Sequence, residues 1–282
     1  VFTGLAVALG FRAGLFNIGV EGQLYLGGLA AALAGAALAG SPAVVLLPLT
    51  LLAAAAAGAA WGALPGYLKA RFGAHEVINT IMLNFIAFAL ASFVGRWVFE
   101  PATVRTAEVG AGAHLVRLDV LFPALRGSPV NLALLLAAAC ASGVGLLLFR
   151  SRTGYELRAV GLNAAAAEYG GVSIGRAQLV AMTLSGAIAG LGGVNFVLGY
   201  KHYFELGFSA GTGFLGIAVA LLGRNHPAGV VVAALFFGAL SYGGLVINQR
   251  VPKELVEVLQ ALVILLAISA QQVMERLARR LV

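Results

Sequence analysis

Charge is scarce in this 282-residue chain: only 10% of the residues are Asp, Glu, Lys or Arg. Soluble domains carry about 25%, so a water-facing surface cannot be built from so few, and an ordinary soluble globular domain is excluded. Cysteine occurs once, as Cys140 inside an apolar run. No disulfide can form within the chain, and the residue reads as a small packing group. The lysines are Lys69, Lys201 and Lys253, and none follows a glycine. The phosphate-cradling G-x-x-x-x-G-K-[ST] loop is therefore missing, and with it ATP binding by that mechanism. His75, His114, His202 and His226 fall in separate breaks, without metal-ligand spacing on one helix face. No carboxylate pair shares an apolar span and no Ser/His or Asp/Asp set sits within one, which argues against an intramembrane protease or transferase. No cleavable signal pattern opens the chain, and Val1 already lies in an apolar run, so a preceding N-terminal helix is expected.

What the chain has in abundance is apolar length. Sixty-one per cent of its residues are hydrophobic and the mean hydropathy is +0.96. A hydrocarbon core of about 30 Å needs about 20 apolar residues per helix, and such runs recur throughout. An outer-membrane barrel would show short alternating segments instead. The expected fold is all-α: one polytopic transmembrane bundle over residues 1–282. Its expected spans are 1–10 (partial), 23–40, 43–66, 77–98, 130–149, 179–200, 208–223, 227–248 and 255–274, eight or nine in all, at least one of them broken or re-entrant. Two long polar breaks fall at 99–129 and 150–178.

The net charge of +7 does not gather into a basic domain, so no nucleic-acid partner is expected; membrane lipid is the surrounding partner. The charges sit between apolar runs, where basic residues mark the cytoplasmic side. Placing the 150–178 loop inside puts 11 basic residues against five acidic ones there, a net of +6, and leaves +1 outside. The C-terminus is then cytoplasmic.

Small residues recur at helical spacing. Gly58, Gly62 and Gly66, and likewise Gly186 and Gly190, form steps that let helix backbones approach closely. Gly211-Thr-Gly-Phe-Leu-Gly216 matches the dinucleotide fingerprint by letters. Its flanks are membrane-like, however, and Phe236 and Phe237 stand where the acidic partner belongs.

Polar groups inside apolar runs carry more information. Asn17, Glu21 and Gln23 lie between apolar stretches with Gly19 and Gly22 beside them. A charge at bilayer depth costs about 3 kcal/mol on insertion scales, and transporters build their sites at broken helices of this kind. The plain alternative is an interfacial loop with Glu21 in water. Asn79 and Asn84 follow His75-Glu76 in the next run; five positions diverge by about 140° on a helix, so the two do not share a face. Each could bond a neighbouring helix or line a polar pore. In the 150–178 break, Asn163 is an N-cap candidate, four alanines favour helix, and Gly170-Gly171 ends it; Ser173 can cap the next. A short helix on the cytoplasmic face is expected there, suited to docking a partner.

Leu15-Phe-Asn-Ile-Gly-Val-Glu-Gly-Gln23, His75-Glu-Val-Ile-Asn-Thr-Ile-Met-Leu-Asn84, Leu157-Arg-Ala-Val-Gly-Leu-Asn163 and Ser185-Gly-Ala-Ile-Ala-Gly-Leu-Gly-Gly193 together resemble the nucleoside and simple-sugar branch of ABC importer permeases. The wider family also serves ribose-type sugars and branched-chain amino acids. The resemblance runs in order over roughly residues 1–275. It implies a bacterial inner-membrane transport subunit that moves a small polar solute and binds no cofactor of its own. A second homologous permease pairs with it, a cytoplasmic ABC ATPase holds ATP and magnesium, and an extracytoplasmic binding lipoprotein delivers the solute. Asn17, Glu21, Gln23, Asn79 and Asn84 occupy the motif positions expected on the solute pathway. The helix at Asn163–Gly171 matches the family's coupling helix, which makes Arg158, Gly161, Asn163, Ala165, Ala166, Glu168 and Gly171 the expected ATPase contacts. The expected solute is a nucleoside; a simple sugar or a branched-chain amino acid suits the same design. From another class, a proton-coupled secondary transporter could use Glu21 as its proton site.

Overall fold

A computed structural model describes residues 1–120 and 127–247, with isolated positions between 255 and 269. The expected span 255–274, and with it Arg126, Arg250, Lys253, Arg276, Arg279 and Arg280 of the charge count, lies outside the described residues for the most part.

Among the described residues, helix dominates and β pairing is confined to isolated bridges. The helices are α1 (Phe2–Arg12), α2 (Val20–Ala37), α3 (Ala43–Phe72), α4 (Glu76–Val98), α5 (Ala133–Arg150), α6 (Arg152–Leu162), α7 (Ala164–Tyr169), α8 (Ile174–Phe196), α9 (Thr212–Leu222) and α10 (Pro227–Ile247). Five are long and apolar enough to cross a membrane: α3, α4, α5, α8 with its π-helical extension to Lys201, and α10. Among the described residues, five of the expected eight or nine spans therefore meet that length and apolarity. The apolar run 208–223 yields only the 11-residue α9, because Gly207 and Gly211, at φ of +80° and +79°, turn the backbone before the helix can start. α2 is held below span character by Glu21 and Gln23 in its first turn.

The centre of the bundle is the contact of α3 with α8, flanked on both by α2. A Cβ on Gly58 would press on the Gly186 carbonyl, one on Gly62 on the Met182 carbonyl, and one on Gly190 on the Ala54 carbonyl. Gly27 of α2 meets the Gly190 backbone in the same way. The two glycine stripes read from the sequence therefore face each other, and dispersion between touching backbones replaces the hydrophobic drive that lipid removes.

Residues 106–115 of the polar break lie along the turn that follows α8. Thr106 N–H donates to the Phe204 carbonyl at 2.9 Å, Val109 N–H to His202 at 2.8 Å, and Leu115 N–H to Leu198 at 2.9 Å. At the other end, the 150–178 break holds two helices where one was expected. Ser151 caps α6, its Oγ accepting from Gly154 N–H at 3.0 Å, and Asn163 caps α7, its Oδ1 accepting from Ala166 N–H at 3.0 Å. Ser173 stands at the N-cap of α8 but makes no capping bond with its side chain.

Gly58→Val should overpack α3 against α8 and lower stability by about 1–3 kcal/mol or more. Gly143 of α5 has open space around its Cβ direction, and Gly143→Ala should gain about 1 kcal/mol of helix propensity. Thermal unfolding in detergent reads both. Equal tolerance of the two changes would remove the α3–α8 contact from the centre of the fold.

Candidate functional site

Between α1 and α2 the chain leaves helix for seven residues, 13–19, which are buried or half-buried apart from Gly14. Its first N–H groups, of Ala13, Gly14 and Leu15, donate to carbonyls of α1, and side chains serve the backbone groups that follow. Asn17 Oδ1 accepts from Gly19 N–H at 3.0 Å, and its Nδ2 donates to Gln23 Oε1 at 2.9 Å and Ser185 Oγ at 2.8 Å. Gln23 Nε2 donates back to Asn17 Oδ1 at 3.2 Å, and Ser185 Oγ donates to the Ala6 carbonyl at 2.7 Å. α1, α2 and α8 are thus joined by one closed set of bonds.

Glu21 reaches the other way. Ser209 Oγ donates to its Oε1 at 2.5 Å, Gly211 N–H to the same oxygen at 3.2 Å, and Gly213 N–H to Oε2. The carboxylate collects the free N–H groups at the start of α9, where a helix dipole also favours negative charge. The fingerprint-like glycines find their use here: Gly213 lies against the Glu21 backbone and Gly216 against Thr3. Asn84 of α4 accepts from Gly22 N–H at 2.8 Å and donates to the Ile18 carbonyl at 3.0 Å. Asn17, Glu21, Gln23 and Asn84 are all buried, at 0–3% exposure, and each has its polar atoms paired. Asn79 is outside this network; its Nδ2 is buried without a partner, near the α3–α4 corner where Lys69 Nζ lies 2.9 Å from Glu76 Oε2. Sequence reading singled out the Asn and Glu residues but not Ser209, which stands 188 positions from its partner Glu21.

The α6–α7 segment is organised differently. Ala167 packs inward, whereas Ala165, Ala166 and Glu168 are exposed, with Leu162 at 88% and Tyr169 at 95%. Two large apolar side chains so displayed flank a small-residue helix, and sequence reading had passed over both. Asn163 holds the cap, Gly171 ends the turn at φ of +82°, and Gly161 rests on the Arg12 carbonyl and Gly14. Arg158 lies on α6, over the Phe149 ring.

Residues 1–268 match the family described as branched-chain amino acid transport system, permease component. The chain belongs to that permease family. It is similar to the guanosine ABC transporter permease protein NupP of Bacillus subtilis, 44% identical over 96% of this chain and 78% of that one. The glucose ABC transporter permease protein TsgB13 of Haloferax volcanii is 39% identical over 96% of this chain and 73% of its own. A second Bacillus subtilis guanosine permease, NupQ, is 27% identical over 84% of this chain and 76% of its own. No solved structure matches. This permease is therefore a multi-pass membrane protein and a transport subunit rather than an enzyme, and relatives of its kind occur as two permeases in one organism.

Where the permease's 99–131 segment meets the turn after α8, His114 and His202 stack with ring centroids 3.8 Å apart. His202 lies in the left-handed region at φ of +63°, and its Nδ1 is buried without a partner. Burial first, then the facing His114, holds its imidazole below the ordinary value of 6.5, partly offset by the Leu198 backbone and by Glu108. A histidine with its folded-state value depressed costs stability when it must charge. The contact is therefore fully present above about pH 6.5 and is lost as pH falls below that value. Hydrogen exchange at Val109 and Leu115 should quicken several-fold at about pH 5.5 relative to about pH 7.5, after correction for intrinsic rates. His202→Asn, which tolerates the left-handed backbone, should abolish the dependence. An unchanged pH response in that variant would show that other groups set it.

Proposed function

We propose that this permease forms half of the membrane channel of an ATP-driven importer whose solute is a nucleoside. The observation that carries the reading is the match over nearly the whole chain to a guanosine permease at 44% identity. The glucose permease at 39% favours a sugar as the second reading. A second homologous permease completes the channel, an extracytoplasmic binding lipoprotein delivers the solute, and a cytoplasmic ATPase holds ATP and magnesium. In this reading the protein crosses the membrane eight or nine times, with the C-terminus cytoplasmic.

The geometry supports a division of labour. Asn17, Glu21, Gln23 and Asn84 serve the pathway by fixing the broken helix pairs around it, since their polar atoms are already paired. Asn79, with an unpaired amide donor, is the one of the five left able to meet a solute or the partner permease. α7 enters a groove on the ATPase with Ala165 and Ala166 as its close-fitting face and Leu162 and Tyr169 as anchors. Arg158, Gly161, Asn163, Glu168 and Gly171 hold that helix in place.

Proteoliposomes containing the two permeases, the ATPase and the binding protein should take up radiolabelled guanosine when ATP is inside. Unlabelled nucleosides should compete and glucose should not; competition by glucose alone would establish the sugar reading. Ala166→Trp should lower solute-stimulated ATP hydrolysis about tenfold or more, as an overpacking cost of about 1–3 kcal/mol implies, while the binding protein still docks. Full stimulation in that variant would mean that energy enters elsewhere.

A further inference from the structure

Where α2, the starts of α1 and α5 and the end of α8 come together, a cleft of about 390 Å³ lies between them. Its size falls within the range of about 300–1,000 Å³ of small-molecule sites. Its walls are mostly apolar, with Phe2, Leu24, Ala137 and Phe196 among them. The Phe196 ring meets Phe208 at 64°, their centroids 5.3 Å apart, and Phe208 in turn stacks on Tyr25 of α2. Directly after Phe196 the helix widens into the π-turn Val197–Lys201, a departure frequent at functional sites.

Two asparagines line that cleft, and only one is satisfied. Asn131, just before α5, is buried; its Oδ1 accepts from Ala133 N–H at 2.8 Å, and its Nδ2 donates to the Gly199 carbonyl at 3.3 Å. A Cβ on Gly199 would stand 2.5 Å from that nitrogen, so the approach requires glycine. Those two bonds fix which way the Asn131 amide faces. Its Nδ2 also donates to Asn195 Oδ1 at 3.2 Å, which leaves Nδ2 as the free end of Asn195. Among the described residues that nitrogen has no acceptor, and Asn195 is half-buried in the cleft wall. Nearby, Thr3 Oγ1 donates to the Thr212 carbonyl at 3.4 Å and Thr212 Oγ1 to the Ser209 carbonyl at 2.5 Å. Both hydroxyls have spent their hydrogen and keep lone pairs with which to accept.

We propose that this cleft holds the base of the transported nucleoside, with Asn195 Nδ2 donating to an acceptor on the base edge and Phe196 against the base plane. The proposal rests on the nucleoside reading and names the residues that meet the solute. A base has two flat faces that stack on aromatic side chains, and a polar edge. Guanine presents O6 and N7 there as neighbouring acceptors, which an amide donor can meet. Thr3 and Thr212 accept from its N–H groups or from the ribose hydroxyls. A hexose suits these walls poorly, because hydroxyls surround its ring and each one buried against Leu24 or Ala137 without a partner is costly. In the proposed orientation the end of α8 and the starts of α1 and α5 face the extracytoplasmic side, where the binding protein releases its solute.

The test reads cysteine protection in the purified complex of the full-length chain, with Leu134→Cys in a Cys140→Ala background. Leu134 lines the cleft and is half exposed. A small methanethiosulfonate reagent should modify the new thiol, and saturating guanosine should slow that reaction several-fold. Val104→Cys, at an exposed position of the 99–129 segment, should react equally fast with and without guanosine. Guanine should protect, whereas ribose and glucose should not. Adding Asn195→Ala should raise the half-protecting guanosine concentration about tenfold, the size of one lost hydrogen bond. Asn195→Asp keeps the oxygen that Asn131 needs and removes the free donor, so it should do the same and serves should the alanine variant fail to fold. Guanosine uptake by wild-type proteoliposomes is measured alongside. Uptake without protection, protection by ribose rather than guanine, or protection unchanged by both Asn195 variants overturns the cleft and leaves the nucleoside reading standing. Protection by glucose, with glucose and not guanosine taken up, overturns both. An unreactive Leu134→Cys also overturns the proposal, since a cleft closed to a small water-borne reagent admits no solute.

Discussion

The chain breaks out of helix between α1 and α2 in a mostly buried segment, and the rest of the bundle is arranged to satisfy that break. In an apolar medium an unpaired backbone group or side-chain amide costs several kcal/mol. Asn17, Gln23 and Ser185 close one set of bonds between α1, α2 and α8. Glu21 closes another between α2 and the start of α9, and Asn84 brings α4 to the same segment. Few side chains in the chain are polar, and those at the break hold five helices in register.

Such bonds form only if the backbones come close, and glycine sets that distance. Gly213 lets the α9 start lie on Glu21, Gly22 admits Asn84, and the stripes Gly58–Gly62 and Gly186–Gly190 bring α3 onto α8. The same residues that look like flexibility in a sequence therefore act here as points of tight, fixed contact. Movement of such a body is more readily that of blocks than of single side chains, because every polar group at the break has its partner inside a block. The α6–α7 segment is the exception. It shows Leu162 and Tyr169 to the exterior.

How much of this was legible in the sequence depended on the range of each interaction. The α7 cap needs only Asn163 and the next three residues, and it was read correctly. The glycine stripes follow from helical spacing alone, though not that they face each other. Asn17, Glu21 and Gln23 stood out because polar groups in an apolar run are expensive, but their partners Ser185 and Ser209 lie 168 and 188 positions away. No local pattern connects them. The spans fared worse where apolar composition continued through a turn: residues 208–223 read as one membrane passage, yet left-handed glycines leave only α9. α6 has the polarity of a loop, which hides it in the sequence despite its Ser151 cap.

Membership of the permease family and the 44% identity to a guanosine permease place the chain among transport subunits, but the physical account rests on Glu21 as a structural tie. The most direct test is Glu21→Gln, measured both for thermal unfolding and for the solute concentration dependence of uptake. Glutamine keeps the size but only one acceptor oxygen, so its amide donor must face the N–H of either Gly211 or Gly213, which sit on different oxygens of Glu21. The account predicts a loss of stability of about 1–3 kcal/mol. It predicts that KM will stay unchanged in the complexes that remain folded. A raised KM at unchanged stability would place Glu21 in contact with the solute and contradict it.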